Sequence, residues 1–361
     1  MLIQKTCVLI LGGYGKVGKL IASNLLKSKN FEITIAGRNE TKAKSVASGL
    51  SKTVTGLQID VTKIGQREKE LLKNFQAVIV CVSQHSTEFA KICFSLSLLY
   101  LDITAKTDFI EDLRKLNSFA AEHKSLGVLS LGFCPGLTNV FAKELIDRNN
   151  LIDEVHTGIL LSLGEKHGIA AIEWTLDNFI RDFEYDGKRI KSFINKKEFE
   201  FLKIKSIRTA YRFNFSDQHS LKKGYPKKDF STYLCFDASY FTKLFYWLRK
   251  IGLHKILRIQ FIKKLAIKLF DQISFGKNIF AVQSIAYQDS LIIDSISVSG
   301  YNESSITARM TSVCFEKLIK QNNHSGVKDV QEILSIEEIW EHIKEGLTSY
   351  SNIGFPGINN K

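Results

Sequence analysis

The sequence predicts an α/β fold: a doubly wound parallel sheet, followed by a second α+β domain with a mixed sheet. Three observations predict it. Over residues 6–131, short apolar runs alternate six times with helical patterns, joined by short connections. A cluster of glycines, Gly12-Gly13-Tyr14-Gly15-Lys16-Val17-Gly18, separates the first apolar run from the first helical pattern. After Gly132 the texture changes to stretches rich in β-branched, small and aromatic residues.

The elements follow in order. Residues 6–11 are an apolar run stopped by glycine, the pattern of a strand buried on both faces. Residues 16–28 place Val17, Leu20, Ile21, Leu25 and Leu26 at helical spacing. A second strand is expected at 31–36, a helix at 41–50, a short strand at 56–60 and a charged helix near 66–74. Strands at 77–82, 100–103 and 127–131 enclose helices at 86–97 and 108–123. Beyond Gly132, strand character marks 153–163, 197–216 and 281–301. Helices are expected at 135–149, 168–182, 238–250, 255–271, 304–321 and 335–344.

A chain of 361 residues exceeds what one core usually serves, so two domains are expected. One comprises 1–132 with about 305–350, the other 133–304. With 3 prolines and no Gly/Ser-rich linker, the two should be knit together directly. The formal net charge of +13 favours an anionic partner. No zinc-finger spacing or RNA-recognition aromatic signature accompanies it, and nucleic acid is not expected. The six cysteines form no CxxC pair, and several, such as Cys81, lie inside apolar runs. They read as free thiols in a reducing compartment, with no metal site. The apolar run at 7–11 is too short for a signal peptide and no stretch is long enough to span a bilayer. A cytoplasmic protein is expected.

The glycine cluster carries the chemistry. It contains Gly13-x-Gly15-x-x-Gly18, set between an apolar strand and an amphipathic helix. Glycine permits the tight turn and close approach of a pyrophosphate, whose charge the helix N-terminal amides then hold. Gly12, Tyr14, Lys16 and Val17 complete the turn. The second strand ends Ala36-Gly37-Arg38-Asn39, with an arginine and no carboxylate. A guanidinium can clamp a ribose 2′-phosphate that a carboxylate would repel, so NADP is expected over NAD, with Lys42 adding charge. Other candidate cofactor contacts end later strands: Asp60 after the third, Val82 and Ser83 after the fourth, Thr104 after the fifth. This is the arrangement of a Rossmann domain.

These residues resemble the saccharopine dehydrogenase-like family. The resemblance rests on Gly12 to Gly18 with Ala36-Gly37-Arg38-Asn39, on Tyr100-Leu101-Asp102-Ile103-Thr104, on Gly132-Phe133-Cys134-Pro135-Gly136-Leu137-Thr138-Asn139, and on Ser305-Ile306-Thr307-Ala308. It implies a Rossmann domain, a mixed-sheet substrate domain, a returning C-terminal segment, and hydride transfer with NADP(H) at a carbon–nitrogen centre. Saccharopine-forming reductases commonly carry aspartate where this chain has Cys134. Cys134, Pro135 and Gly136 are the candidate substrate contacts. Pro135 fits the first position of a helix, with free amides nearby for a substrate carboxylate or the nicotinamide amide; a simple interdomain hinge is the alternative reading of the same turn.

Hydride transfer to an imine also needs a proton donor or a polarising group. His85, after the fourth strand, is the first candidate and His167 the second. Between Asp237 and Asp271 there is no acid, and lysines and arginines interleave with large apolar residues. Residues 241–270 are therefore a candidate for peripheral membrane contact, beside the plainer reading of helices with an apolar face on the core. A small-molecule substrate and a homodimer are expected. Two alternatives to an amino-acid oxidoreductase stand beside it: a non-catalytic NADP sensor and a membrane-surface reductase of a lipid-like substrate.

Overall fold

The computed structural model describes residues 5–165, 168–272, 276, 278–321 and 325–352. Two compact units result. One comprises the described residues up to Leu137 with Ser304–His342, the other Thr138–Glu303 with those from Ile343 on.

The first unit begins with six strands and six helices in alternation. They are β1 (Thr6–Leu11), α1 (Lys16–Leu26), β2 (Phe31–Gly37), α2 (Glu40–Leu50), β3 (Thr55–Gln58), α3 (Gln66–Leu72), β4 (Ala77–Val80), α4 (Glu88–Ser95), β5 (Leu99–Asp102), α5 (Thr107–Arg114), α6 (Asn117–Glu122) and β6 (Leu126–Leu129). Every strand pair here is parallel, and β1 lies between β2 and β4. Parallel strands buried on both faces need apolar residues at successive positions. Val8, Leu9, Ile10 and Leu11 of β1 and all four residues of β4 meet that need. The chain order reverses between β1 and β4, which places a crevice at the carboxyl ends of these two strands.

One helix expected at 108–123 is two, α5 and α6, broken around Lys115 and Leu116. The turn at 133–137 also departs from expectation. Pro135 does not open a helix: its backbone is extended (φ −68°, ψ 158°) and Gly136 follows at φ +136°. That left-handed conformation, unfavourable to any residue with a side chain, postpones the helix to Thr138. The amides expected to be free are partly spent. Leu137 donates to the Gly132 carbonyl, and Phe133 donates to Thr307 Oγ1 at 3.1 Å.

The second unit contains α7 (Thr138–Arg148), β7 (Glu154–Leu161), α8 (Ile169–Ile180), β8 (Phe183–Tyr185), β9 (Lys188–Ile190), β10 (Lys196–Phe199), β11 (Arg208–Arg212), α9 (Ser216–Gly224), β12 (Asp229–Phe236), α10 (Ser239–Lys250), α11 (Gln260–Gln272), β13 (Ile279–Gln288) and β14 (Leu291–Tyr301). The helix expected over 255–271 is a tight turn at Leu253–Arg258 followed by α11. Strand β12 was not among the expected elements. It pairs in parallel with β7, while the β13–β14 hairpin pairs antiparallel on the other side of β7. Gly158 of β7 is where the Phe199 ring packs, and a Cβ there would lie 2.5 Å from it.

The chain then returns to the first unit as α12 (Glu303–Lys320), β15 (Gly326–Asp329), α13 (Val330–Ile333) and α14 (Ile336–Ile343). Strand β15 adds to β6 in parallel, giving the order β15-β6-β5-β4-β1-β2-β3. Asp329 fixes it there, accepting from both Arg114 Nη2 and Ser130 Oγ at 2.7 Å. The last described strand, β16 (Leu347–Asn352), does not stay with this unit as far as residue 350. It pairs antiparallel with β14, completing the mixed sheet β10-β11-β12-β7-β13-β14-β16.

Candidate functional site

The turn from β1 into α1 is shaped by four glycines with four separate reasons. Gly12 sits at φ +76°, and a Cβ there would meet Val82 and the Cys81 carbonyl within 2.8 Å. Gly13 lies against Ile35, which a Cβ would approach to 2.5 Å. Gly15 is exposed at the N-cap of α1 and meets only the Gly12 carbonyl, at 3.1 Å. Gly18 packs the first turn of α1 onto the loop, so that a Cβ would lie 2.5 Å from the Gly12 oxygen and 2.7 Å from Gly13 Cα. No side chain caps α1 and no acid stands in its first turn. An exposed helix start without a side-chain cap, approached by bare backbone, fits a dinucleotide pyrophosphate. Lys16 is exposed and Val17 half-buried in that first turn.

At the end of β2 the side chains diverge. Tyr14 lies over Gly37, whose missing Cβ would be 2.4 Å from the ring, and the Lys42 ammonium stands 5.2 Å from the same ring's centre. Arg38 is exposed, and among the described residues its guanidinium has no ion-pair partner. Asn39 does a different job from its neighbour: its Oδ1 accepts from the Lys42 amide at 2.8 Å and caps α2. Asn39→Ala should therefore cost about 1 kcal/mol of stability in urea unfolding. NADPH affinity should change little; a large affinity loss at full stability would make Asn39 a ligand instead.

Asp60 is likewise engaged in its own turn, accepting from the amide and hydroxyl of Thr62 at 3.0 and 2.8 Å. These bonds lower its pKa, with Lys63 and Arg38 adding smaller attractions. Val82 is half-buried against Gly12, and Ser83 is exposed. The Thr104 amide donates to Asp102 Oδ1 at 2.8 Å.

The feature missed by sequence reasoning lies at the ends of β4 and β5. Asp102 is wholly buried and collects three donors: Tyr100 Oη at 2.7 Å and Gln84 Nε2 at 2.9 Å on Oδ2, and the Thr104 amide on Oδ1. Gln84 Nε2 also lies 2.8 Å from Tyr100 Oη. Burial outweighs these bonds and raises the Asp102 pKa to about 6. The network ties the loop after β4 to the loop after β5. A buried acid flanked by Tyr at two residues' distance was a usable signal, but the Gln84 partner comes from the loop after a different strand.

The predicted catalytic residues are less organised. His85 is exposed beside buried Gln84, and no group among the described residues orients its ring. His167 lies outside the described residues. Of the candidate substrate contacts, Cys134 is half-buried, whereas Pro135 and Gly136 are buried. The cysteines are free, and no cluster among the described residues could hold a metal ion. Burial pushes the thiols of Cys81 and Cys93 up and that of Cys314 up to about 12, the behaviour of packing groups and not of nucleophiles.

Residues 8–126 match the family model described as the saccharopine dehydrogenase NADP binding domain. The chain carries a saccharopine dehydrogenase-like NADP-binding domain. Apo saccharopine dehydrogenase (L-Glu forming) from Saccharomyces cerevisiae has the same fold, with a TM-score of 0.68 at 12% identity over 97% of this chain and 100% of that one. Homospermidine synthase from Legionella pneumophila, solved with NAD, has a TM-score of 0.64 at 11% identity over 99% of this chain and 94% of that one. No curated protein sequence matches the chain. The saccharopine dehydrogenase-like fold thus includes the mixed-sheet unit as well as the NADP-binding one. The group that this domain binds also fits the residues present: bare backbone at the α1 start for the pyrophosphate, and cationic Arg38 and Lys42 beside Tyr14 for a 2′-phosphate.

Proposed function

We propose that the protein is an NADP(H)-dependent oxidoreductase acting at a carbon–nitrogen centre of an amino-acid-like substrate. The observation that carries the reading is the pairing of a saccharopine dehydrogenase-type phosphate turn with an unpaired Arg38 where NAD-binding folds place an acid. When bound, the nicotinamide cofactor supplies or accepts the hydride. The chain's own residues bind and orient it. The α1 amides hold the pyrophosphate, and Arg38 with Lys42 selects the 2′-phosphate. The Gln84–Tyr100–Asp102 network holds the β4 and β5 loops in one arrangement at the crevice edge. A non-catalytic NADP sensor is the second reading, favoured by the exposed and unoriented His85.

The test is a fluorescence titration of NADPH and NADH against the protein and Arg38→Ala. A charge-assisted bidentate contact is worth roughly 1.5–3 kcal/mol, so the variant should lose about 10- to 100-fold in NADPH affinity and little for NADH. Equal loss for both nucleotides would remove the 2′-phosphate assignment. Turnover of NADPH with cyclic imines, or with 2-oxo acids plus amines, then separates enzyme from sensor. Tight binding without turnover of either class would favour the sensor.

A further inference from the structure

The second unit leaves one surface unexplained by cofactor or substrate. On α10, the residues packed inward are Thr242, Phe245 and Arg249. The opposite stripe, Tyr240, Leu244, Trp247 and Ile251, is 48–66% exposed. Their spacing of four, three and four residues keeps them on one side of the helix. The following helix repeats the pattern. Lys263 ties α11 to α8 through Glu173 and Asp177, and Phe270 packs on Phe241 and Phe245 of α10. The other side presents Phe261, Leu265 and Leu269, 53–76% exposed, and α11 has no buried residue at all. Two adjacent helices therefore turn large apolar side chains to the outside. That is uncommon on a soluble surface without a partner.

The charges identify the partner. Lys243, Lys250, Lys255, Arg258, Lys264 and Lys268 are exposed along the same segment, and among the described residues none forms an ion pair. No acid stands between Asp237 and Asp271. A second copy of this chain would bring the same cations against these, and the two faces would repel. Nucleic acid would satisfy the cations but not the apolar stripes. An anionic bilayer surface satisfies both, since apolar side chains enter the headgroup–acyl boundary while lysines reach the lipid phosphates.

We propose that the exposed face of α10 and α11 is a docking surface for anionic phospholipid membrane. The contact is peripheral, because no described helix is long and apolar enough to cross a bilayer. It does not depend on the proposed reaction.

The test is co-sedimentation of the full chain with vesicles, either phosphatidylcholine alone or an equal mixture with phosphatidylglycerol. Binding should require phosphatidylglycerol and weaken with added salt. Each lysine near an anionic surface contributes about fivefold, so Lys264→Gln with Lys268→Gln should weaken binding about 25-fold. Phe261→Ser with Leu265→Ser should abolish it while NADPH affinity stays unchanged. Independently of any variant, Trp247 emission should shift to shorter wavelength on the mixed vesicles. Failure to sediment with the mixed vesicles overturns the proposal. So does a Phe261→Ser/Leu265→Ser protein that binds them as well as the parent. A dimer in light scattering that these substitutions split, without vesicle binding by the parent, assigns the face to a second copy instead.

Discussion

Gly18→Ala is expected to lose NADPH affinity on the order of 100-fold and to destabilise the protein by about 3 kcal/mol. The reason is geometric. The added Cβ would stand 2.5 Å from the Gly12 oxygen, 2.7 Å from Gly13 Cα and 3.0 Å from the Gly12 carbonyl carbon. All three are backbone atoms of the turn, so no side-chain rotation relieves the clash. The helix must move off the loop, or the loop off the helix. The loop is held from the other side, since the Gly12 amide donates to the Ala36 carbonyl at 2.7 Å and the Gly15 amide donates to Gly12 at 2.8 Å. Displacing either part moves the α1 amides from the phosphate position.

Gly15→Ala makes the decisive contrast. Gly15 has φ −76°, a conformation open to any residue, and its Cβ would meet one atom at 3.1 Å. Stability should therefore fall by no more than about 1 kcal/mol, the usual cost of alanine at an N-cap, because the methyl itself meets little. NADPH affinity should still fall about tenfold, because the new methyl stands where the phosphate approaches bare backbone. Urea unfolding and fluorescence titration of both variants measure the split. If Gly15→Ala binds NADPH as tightly as the parent, the nucleotide does not approach this turn, and the reading of the site fails with it.

The turn was legible because the signals that mark it are local. An apolar run, a glycine spacing and an amphipathic helix lie within residues 6–28, and the Gly15 and Gly18 contacts close within them, whereas Ile35, Cys81 and Val82 crowd Gly12 and Gly13 from later in the chain. Arg38 was legible for a related reason, as the residue that follows β2. The hidden elements depend on distant partners. Strand β15 is only Gly-Val-Lys-Asp, too short for a pattern. It becomes a strand by pairing with β6, about 200 residues earlier, and by the Asp329 bonds to Arg114 and Ser130. Strand β12 carries Ser231 and Thr232 in its middle, which reads as polar. Both are buried, and Asp217 of α9 accepts from the Thr232 hydroxyl at 2.9 Å. The Gln84–Asp102 bond likewise joins two loops that only the parallel pairing of β4 with β5 brings together.

That network leads to the second large effect, a pH dependence opposite in sign to the usual carboxylate case. Two influences compete at Asp102. Three donors favour its ionised form, while complete burial disfavours it. Burial prevails, and the pKa rises from 3.8 to about 6 in the folded protein. Between these values the unfolded chain has released the proton and the folded chain has kept it. Folding stability from this group is thus fully present below the unfolded pKa and is lost as pH rises through the folded one. A shift of about two units corresponds to about 3 kcal/mol. Asp102→Asn keeps the side-chain shape but cannot titrate. Urea unfolding of parent and variant should show their stability difference moving by about 3 kcal/mol in favour of Asn between about pH 4 and about pH 7. A constant difference would mean that burial and the donors cancel. Movement the other way would mean that the bonds from Tyr100, Gln84 and Thr104 prevail. The β4 and β5 loops would then be held by a fixed carboxylate anion, and not by an acid that gains or loses its proton near neutral pH.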